Sequence, residues 1–267
     1  MRDKITISYQ NYPDLRKEEL YLISRAEYEK LKLITTAFAR KLFPQPQVAA
    51  AVLDSLSRKG RLIQLQRGKY FLVPIKAPNQ HWTPNEYVVA ALWMGKIQYY
   101  IGYFTMYHYW GFTEQIPQTV FILNTARNAE AKIGNTSYRA VKIGSSRIYG
   151  IQNLEIEGEI VAISDKERTL VDFIHRPIGS YENVSSTLTK IVPSVDFSKL
   201  VDYIGRFPIL SLRRRAGYLL EKAGFGGKAL DGLKRALGAG STYVVLDPAH
   251  KSRKGKVDRS WGIIVNR

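Results

Sequence analysis

The sequence predicts an α+β protein: a winged helix-turn-helix over residues 1–78, then a larger mixed α+β domain over residues 79–267, with a candidate subdivision near residue 177. Three observations carry this. Residues 14–74 read as helix, proline-marked turn, helix and two short strands. Beyond residue 118 strand-like runs precede a helix-rich stretch and return at the end. Between these parts, "PIKAPNQHW" (74–82) interrupts both periodicities as a linker does. A chain of 267 residues suits two domains better than one.

The elements follow in order. Leu15, Leu20, Ile23, Leu31, Ile34, Phe38 and Leu42 are spaced as the buried faces of two or three short helices over 14–43. Pro44 and Pro46 in "PQPQ" suit a turn and a helix start. In "VAAAVLDSLSRKG", Val48, Val52 and Leu56 share a face, and Gly60 ends the helix after Arg58 and Lys59, where the helix dipole favours cations. "RLIQL" and "KYFLV" flank "QRG", with Gly68 supplying the positive φ of a hairpin turn. "TPNE" (83–86) reads as a capping box, with Thr83 the cap and Pro84 the first helical residue, opening a helix to about Trp93. "TVFILN" (119–124) reads as a buried strand, and "SYRAVKI", "SRIYGI" and "LEIEGEIVAI" as further strands. "SDKE" (164–167) reads as a second capping box, opening a helix with Leu170, Val171 and Ile174 inward and Pro177 at its end. Residues 181–236 read as mainly helical. "STYVVL" and "SWGIIVN" are terminal strands joined by the basic loop "DPAHKSRKGKVDR".

The net charge of +17 is unevenly spread. Residues 1–78 hold 15 Lys/Arg against 7 Asp/Glu, residues 79–160 hold 6 against 6, and residues 161–267 hold 19 against 10. Two basic ends point to a polyanionic partner. The absence of cysteine excludes a disulfide framework and fits a reducing, cytoplasmic setting, and "MRDKITISYQNY" lacks the apolar core of a signal peptide. The apolar run Val88–Phe112 is interrupted by Lys96, Gln98 and His108, so no membrane partner is expected.

Catalytic chemistry is sought and not found. The four histidines (81, 108, 175 and 250) match no metal-binding spacing, and no nucleophile elbow occurs. "GFGGKA" (224–229) follows a helix where a dinucleotide fingerprint follows a strand, which favours a helix–helix connection. Glu155, Glu157 and Glu159 fall on one face of an assumed strand, taken as solvent-facing rather than as a cation site. "YYIGYFTMYHYWGFTEQIP" (99–117) carries eight aromatic residues and a single full charge, Glu114. Nucleic-acid stacking platforms interleave aromatics with Lys/Arg, and this run has no Lys or Arg. It reads as core, a short helix burying Phe104, Tyr107 and Trp110 or their neighbours. No catalytic residue, metal or cofactor is expected.

The N-terminal helix–turn–helix–hairpin, the block "YIGYFTMYHYWGFTEQIP", "SDKERTLVD" (164–172) and the terminal "SWGIIVN" together resemble the abortive-infection E antitoxins of type IV toxin–antitoxin pairs, also described as predicted transcriptional regulators of viral defence systems. The resemblance covers most of the chain and is weakest over 181–240. It implies a non-catalytic antitoxin. Its winged helix would repress its own operon at inverted repeats in promoter DNA. Its larger domain would neutralise a nucleotidyltransferase-like toxin, directly or through a shared target.

The site residues are fewer. On the presumed recognition helix, Gln47, Ala50, Ala51, Asp54, Ser55 and Arg58 face away from Val48, Val52 and Leu56. Of these, Gln47, Ser55 and Arg58 are the candidate base readers. Lys59, Arg61, Arg67 and Lys69, with Arg40 and Lys41, are the candidate phosphate contacts. Arg213, Arg214 and Arg215, with Lys251, Arg253, Lys254 and Lys256, form the expected antitoxin surface. The alternative function is a nucleic-acid-processing enzyme targeted by the winged helix; the missing nucleophile and metal spacings weigh against it.

Overall fold

The computed structural model describes residues 14–75, 84–238 and 242–266. It is a mixed α+β structure with two compact units. One runs to Trp93 and includes Ile133–Asn135; the other holds Met94–Lys132 and the chain from Thr136.

The first unit contains α1 (Lys17–Tyr28), β1 (Leu33–Thr35), α2 (Thr36–Leu42), α3 (Pro46–Arg58), β2 (Leu62–Gln66), β3 (Lys69–Leu72) and α4 (Glu86–Met94). The Arg16 amide donates to Glu19 Oε2 at the start of α1 (2.8 Å). Thr35 caps α2 by accepting from the Phe38 amide (3.0 Å), so β1 turns directly into a helix. Pro46 opens α3, and the left-handed Gly60 follows its end. Gly68, at φ 74°, turns β2 into β3. The sheet order is β1-β3-β2, with β3 antiparallel to both neighbours. Leu22, Ile23, Ile34, Ala39 and Leu56 are fully buried beneath it. Periodicity had placed Ile34 on a helix; its backbone instead pairs with Tyr70. The expected cap Thr83 lies outside the described residues. Asn85 Oδ1 accepts from the amides of Tyr87 (2.9 Å) and Val88 (3.4 Å), so the helix begins at Glu86.

In the second unit, β4 (Tyr99–Ile101), α5 (Tyr103–Tyr109), β5 (Thr119–Asn124), β6 (Ala129–Ile133), β7 (Thr136–Lys142), β8 (Ile151–Ile156) and β9 (Glu159–Ser164) come first. Their six-stranded sheet has the order β6-β7-β5-β4-β9-β8. It is mixed: β5 runs parallel to β7 and β4 to β9, whereas β4/β5 and β8/β9 are antiparallel. The helices are α6 (Lys166–His175), α7 (Tyr181–Ile191), α8 (Phe197–Arg206), α9 (Leu210–Lys222) and α10 (Lys228–Leu237). One apolar core includes residues on both sides of Pro177, from Tyr100 and Leu170 to Leu220 and Trp261.

Four expectations change here. "SRIYGI" forms a 3-10 turn at Ser145–Arg147 and joins the sheet only from Ile151. Glu157 (φ 53°) and Gly158 (φ 78°) form the two-residue turn between β8 and β9, so the three glutamates do not share one strand face. The cap of α6 is Asp165, which accepts from the Arg168 amide (2.7 Å); Ser164 ends β9 and Glu167 accepts from Asp196 N and Lys199 Nζ instead. The aromatic block is a strand followed by a helix. Tyr100, Tyr103 and Tyr107 are buried, and Phe104 and Trp110 are half-buried against the same core. Its polar tips find partners: Tyr107 donates to Arg176 O (3.2 Å) and Trp110 Nε1 to Ser164 O (3.1 Å). "GFGGKA" does connect helices, α9 to α10.

A small sheet closes this unit: β10 (Val244–Val245) lies parallel to β12 (Ile263–Val265), and β11 (Lys256–Asp258) antiparallel to it. Trp261 joins it to α9. Its indole donates to Glu221 Oε2 (2.7 Å), and its ring lies so close to Gly217 that a methyl there would sit 2.0 Å from a ring carbon. Gly217→Ala therefore displaces a buried indole. A loss of about 1–3 kcal/mol is expected, the usual cost of overpacking, read as a lower midpoint in denaturant. An unchanged midpoint would show that the ring is not confined there.

Candidate functional site

On the first unit, α3 and the β2–β3 hairpin present the polar surface. Gln47, Ala50, Ala51, Asp54 and Arg58 are exposed along α3. Arg58 pairs with Asp54 at 2.9 Å, both side chains being largely in water (74% and 67% exposed). Such a pair is worth little and is readily exchanged for another partner. Arg67 is exposed at the hairpin, Lys69 is half-buried, and Arg40 and Lys41 are exposed at the end of α2.

Three expected DNA contacts are placed otherwise. Ser55 is buried, and its hydroxyl helps to favour the charged form of Glu19. Glu19 itself is 1% exposed; burial works against its charge, but Lys59, Ser55 and the Arg16 amide together hold its pKa below the ordinary value. Lys59 supplies that ion pair at 2.6 Å and also donates to Asp14 O, so it ties α3 to the start of α1. Arg61 is 6% exposed. Sequence spacing marks a helix face but cannot reveal an acidic partner on another helix.

The arginine run on α9 departs furthest from expectation. Arg213 donates to Phe207 O, Arg214 (3% exposed) to Trp261 O at 3.4 Å, and Arg215 to Val245 O at 2.9 Å. Arg214 and Arg215 satisfy carbonyls at the terminal sheet and Arg213 one at the end of α8, so the run does not form a free basic face. Lys251, Arg253, Lys254 and Lys256 are all exposed. The second basic surface is thus the loop leading into β11.

"SDKERTLVD" proves to be a polar centre. Arg168 and Asp172 are both 0% exposed and pair at 2.9 Å. Tyr100 accepts from Arg168 (2.8 Å) and donates to Asp172 (3.1 Å). Arg147 stands 3.8 Å from Asp172 and donates to Tyr103 (3.1 Å). The Arg168 guanidinium also lies over the rings of Tyr149 (4.5 Å) and Phe207 (5.4 Å). Burial raises the Asp172 pKa, partly offset by Arg168 and Arg147. At Arg168 burial opposes the charge, but Asp172 and Tyr100 outweigh it and raise the pKa. Asp165 and Glu167 share Lys199 at 3.1 and 3.0 Å, and Tyr203 donates to Asp165 (3.0 Å). The motif therefore joins α6 to β4, α8 and the turn at Arg147. Arg168 and Asp172, spaced four residues apart beside the inward Leu170, Val171 and Ile174, were the visible signal. Among the described residues no group of three His, Asp or Glu lies together as a metal site, and no helix is long and apolar enough to cross a membrane.

No protein-family model matches the chain, and no curated protein does. Among solved structures it is similar to the Rv2827c protein of Mycobacterium tuberculosis, seen in a crystal structure. The TM-score is 0.67 at 15% identity, over 94% of this chain and 92% of that one. The likeness is one of fold.

Two expectations follow. Replacing Arg213, Arg214 and Arg215 together by Glu puts carboxylates against backbone carbonyls, with one of them buried. A loss of about 3 kcal/mol or more is expected, read as a collapsed thermal melt. Charge reversal at Lys251, Arg253, Lys254 and Lys256 should leave the melt near that of the parent. His175 supplies a pH dependence. Burial, with Arg147 and Arg176 nearby, lowers its pKa to about 3. Between its unfolded value and about 3 the unfolded chain binds a proton that the folded chain does not, so stability falls as pH drops below about 6.5. Denaturant midpoints from pH 7.5 to 5 should decline, and His175→Gln should flatten that decline; parallel curves would refute the assignment.

Proposed function

We propose that this protein is a DNA-binding antitoxin. Its first unit acts as a winged helix on promoter DNA, and its second unit neutralises a nucleotidyltransferase-like toxin. The observation that carries the DNA-binding half is topological. Helix, strand, two helices and a hairpin, with sheet order β1-β3-β2, is the arrangement in which α3 enters a major groove and the hairpin lies beside it. The exposed row on α3 supports this. Gln47 and Arg58 can reach base edges, and Ala50 and Ala51 allow close approach and contact with thymine methyls. Arg67, Arg40 and Lys41 are exposed and Lys69 is half-exposed, which leaves them available for phosphates. The antitoxin half rests on the motif resemblance, and the exposed loop from Lys251 to Lys256 is its favoured contact surface.

A gel shift of the full chain on its own upstream region tests the first half. Preference over scrambled DNA at moderate salt is expected, and equal binding of the two would overturn it. Arg67→Ala should lower the slope of log affinity against log salt by about one with no change in melting. An unchanged slope and affinity would place the hairpin away from DNA. Co-expression with the adjacent gene tests the second half. Growth rescue should survive Arg58→Ala and Arg67→Ala, because neutralisation lies in the other unit. No growth arrest by that gene, or no rescue by this chain, would overturn it.

A further inference from the structure

A cleft of about 360 Å³ opens between the start of α7, one side of α9 and the chain following β10. This lies within the size range of small-molecule sites. Leu219 and Leu246 give it apolar lining, and the rings of Tyr181 and Tyr218 add to it. All four are at least nine-tenths buried.

Several of its polar groups keep open bonding capacity. Tyr218 is 8% exposed and lines the cleft, yet its hydroxyl has no hydrogen-bond partner among the described residues. The hydroxyl is open to the cleft, where water or a ligand can supply its partner. Lys222 lies on the same rim, 5.7 Å from the Tyr218 ring, and forms no ion pair among the described residues. Asp247 spends one carboxylate oxygen on the Ala249 amide (2.8 Å), which leaves the other open. His250 Nδ1 accepts from the Ser252 amide (3.2 Å), so a neutral ring carries its proton on Nε2 and offers a donor.

The wall that bears these groups is held in place. Asn266 donates to Asp247 O and Ser252 O, each at 2.8 Å, and accepts from the Asp247 amide at 2.9 Å. Directly beyond His250 come the exposed cations Lys251, Arg253, Lys254 and Lys256.

An occupant must therefore combine a flat apolar body, a donor for Asp247 and an anionic group for Lys222 and His250. An inorganic anion leaves the apolar lining unused. A purely apolar ligand leaves the polar groups unpaired. We propose that this cleft binds a nucleotide, its base against Tyr218 and the leucines and its phosphate toward Lys222. The nucleotide is either free or the end of a single strand whose backbone follows the Lys251–Lys256 loop. This does not rest on the DNA-binding role of the first unit.

Calorimetric titration of the full chain tests it, using the four nucleoside monophosphates, ribose 5-phosphate, inorganic phosphate and a six-nucleotide single strand. Saturable binding of at least one monophosphate is expected, with ribose 5-phosphate and phosphate about tenfold weaker or more. Lys222→Gln should weaken it about tenfold, the usual worth of a charge-assisted contact, and Tyr218→Phe about threefold, both with unchanged melts. If the single strand binds tighter and Lys254→Ala with Lys256→Ala removes only that excess, the source is a strand. If it binds no tighter, the source is the free nucleotide. Either result supports the site. No saturable binding of any monophosphate or of the strand up to roughly 5 mM, equal competition by phosphate, or affinities unmoved by both Lys222→Gln and Tyr218→Phe would each overturn it. Arg67→Ala, which should weaken duplex binding, should leave the nucleotide titration unchanged.

Discussion

The larger unit is organised around one burial problem. The Arg168 guanidinium is wholly enclosed, and the structure around it is arranged to keep it charged. Asp172 balances the charge from one turn further along α6, Tyr100 bridges the pair from β4, and three aromatic rings face the cation. Burying such a pair adds little net stability, but removing either partner strands the other. The pair thus constrains position more than it contributes energy: α6, β4 and the chain around Tyr149 and Phe207 can pack in few other ways.

The same economy recurs at the C-terminal end. Arg214 and Arg215 donate to the backbone carbonyls of Trp261 and Val245, and the Trp261 ring lies against the bare backbone of Gly217. The terminal strands are thereby fastened to α9. That attachment forms a wall of the cleft and leaves the cations from Lys251 to Lys256 in water beside it. Lys59 plays a similar part in the first unit by joining α3 to the buried Glu19 of α1. Several of the most basic stretches of the chain are therefore structural, whereas the cations at the end of α2, on the hairpin and in the loop from Lys251 to Lys256 remain in water.

The elements were largely legible because their signals are local. Pro46 starts α3, Gly60 ends it and Gly68 turns the hairpin, each through its own backbone. The strand TVFILN and the helix after residue 165 were visible as an apolar run and as an amphipathic period. Three-residue strands such as β1 and β4 are too short for a period to register, and both were missed. The face of α3 was legible except at Ser55, whose burial depends on a carboxylate thirty-six positions earlier.

By itself, the sequence determined the order of elements, the α+β class, the neutral aromatic core and the basic ends, because composition and backbone preference act within a few residues. Only the tertiary structure decided which cations face water. Arg214 and Trp261 lie forty-seven residues apart, and Lys59 and Glu19 forty. A charge is spent or free according to the partner that folding brings to it, and no local pattern records that partner.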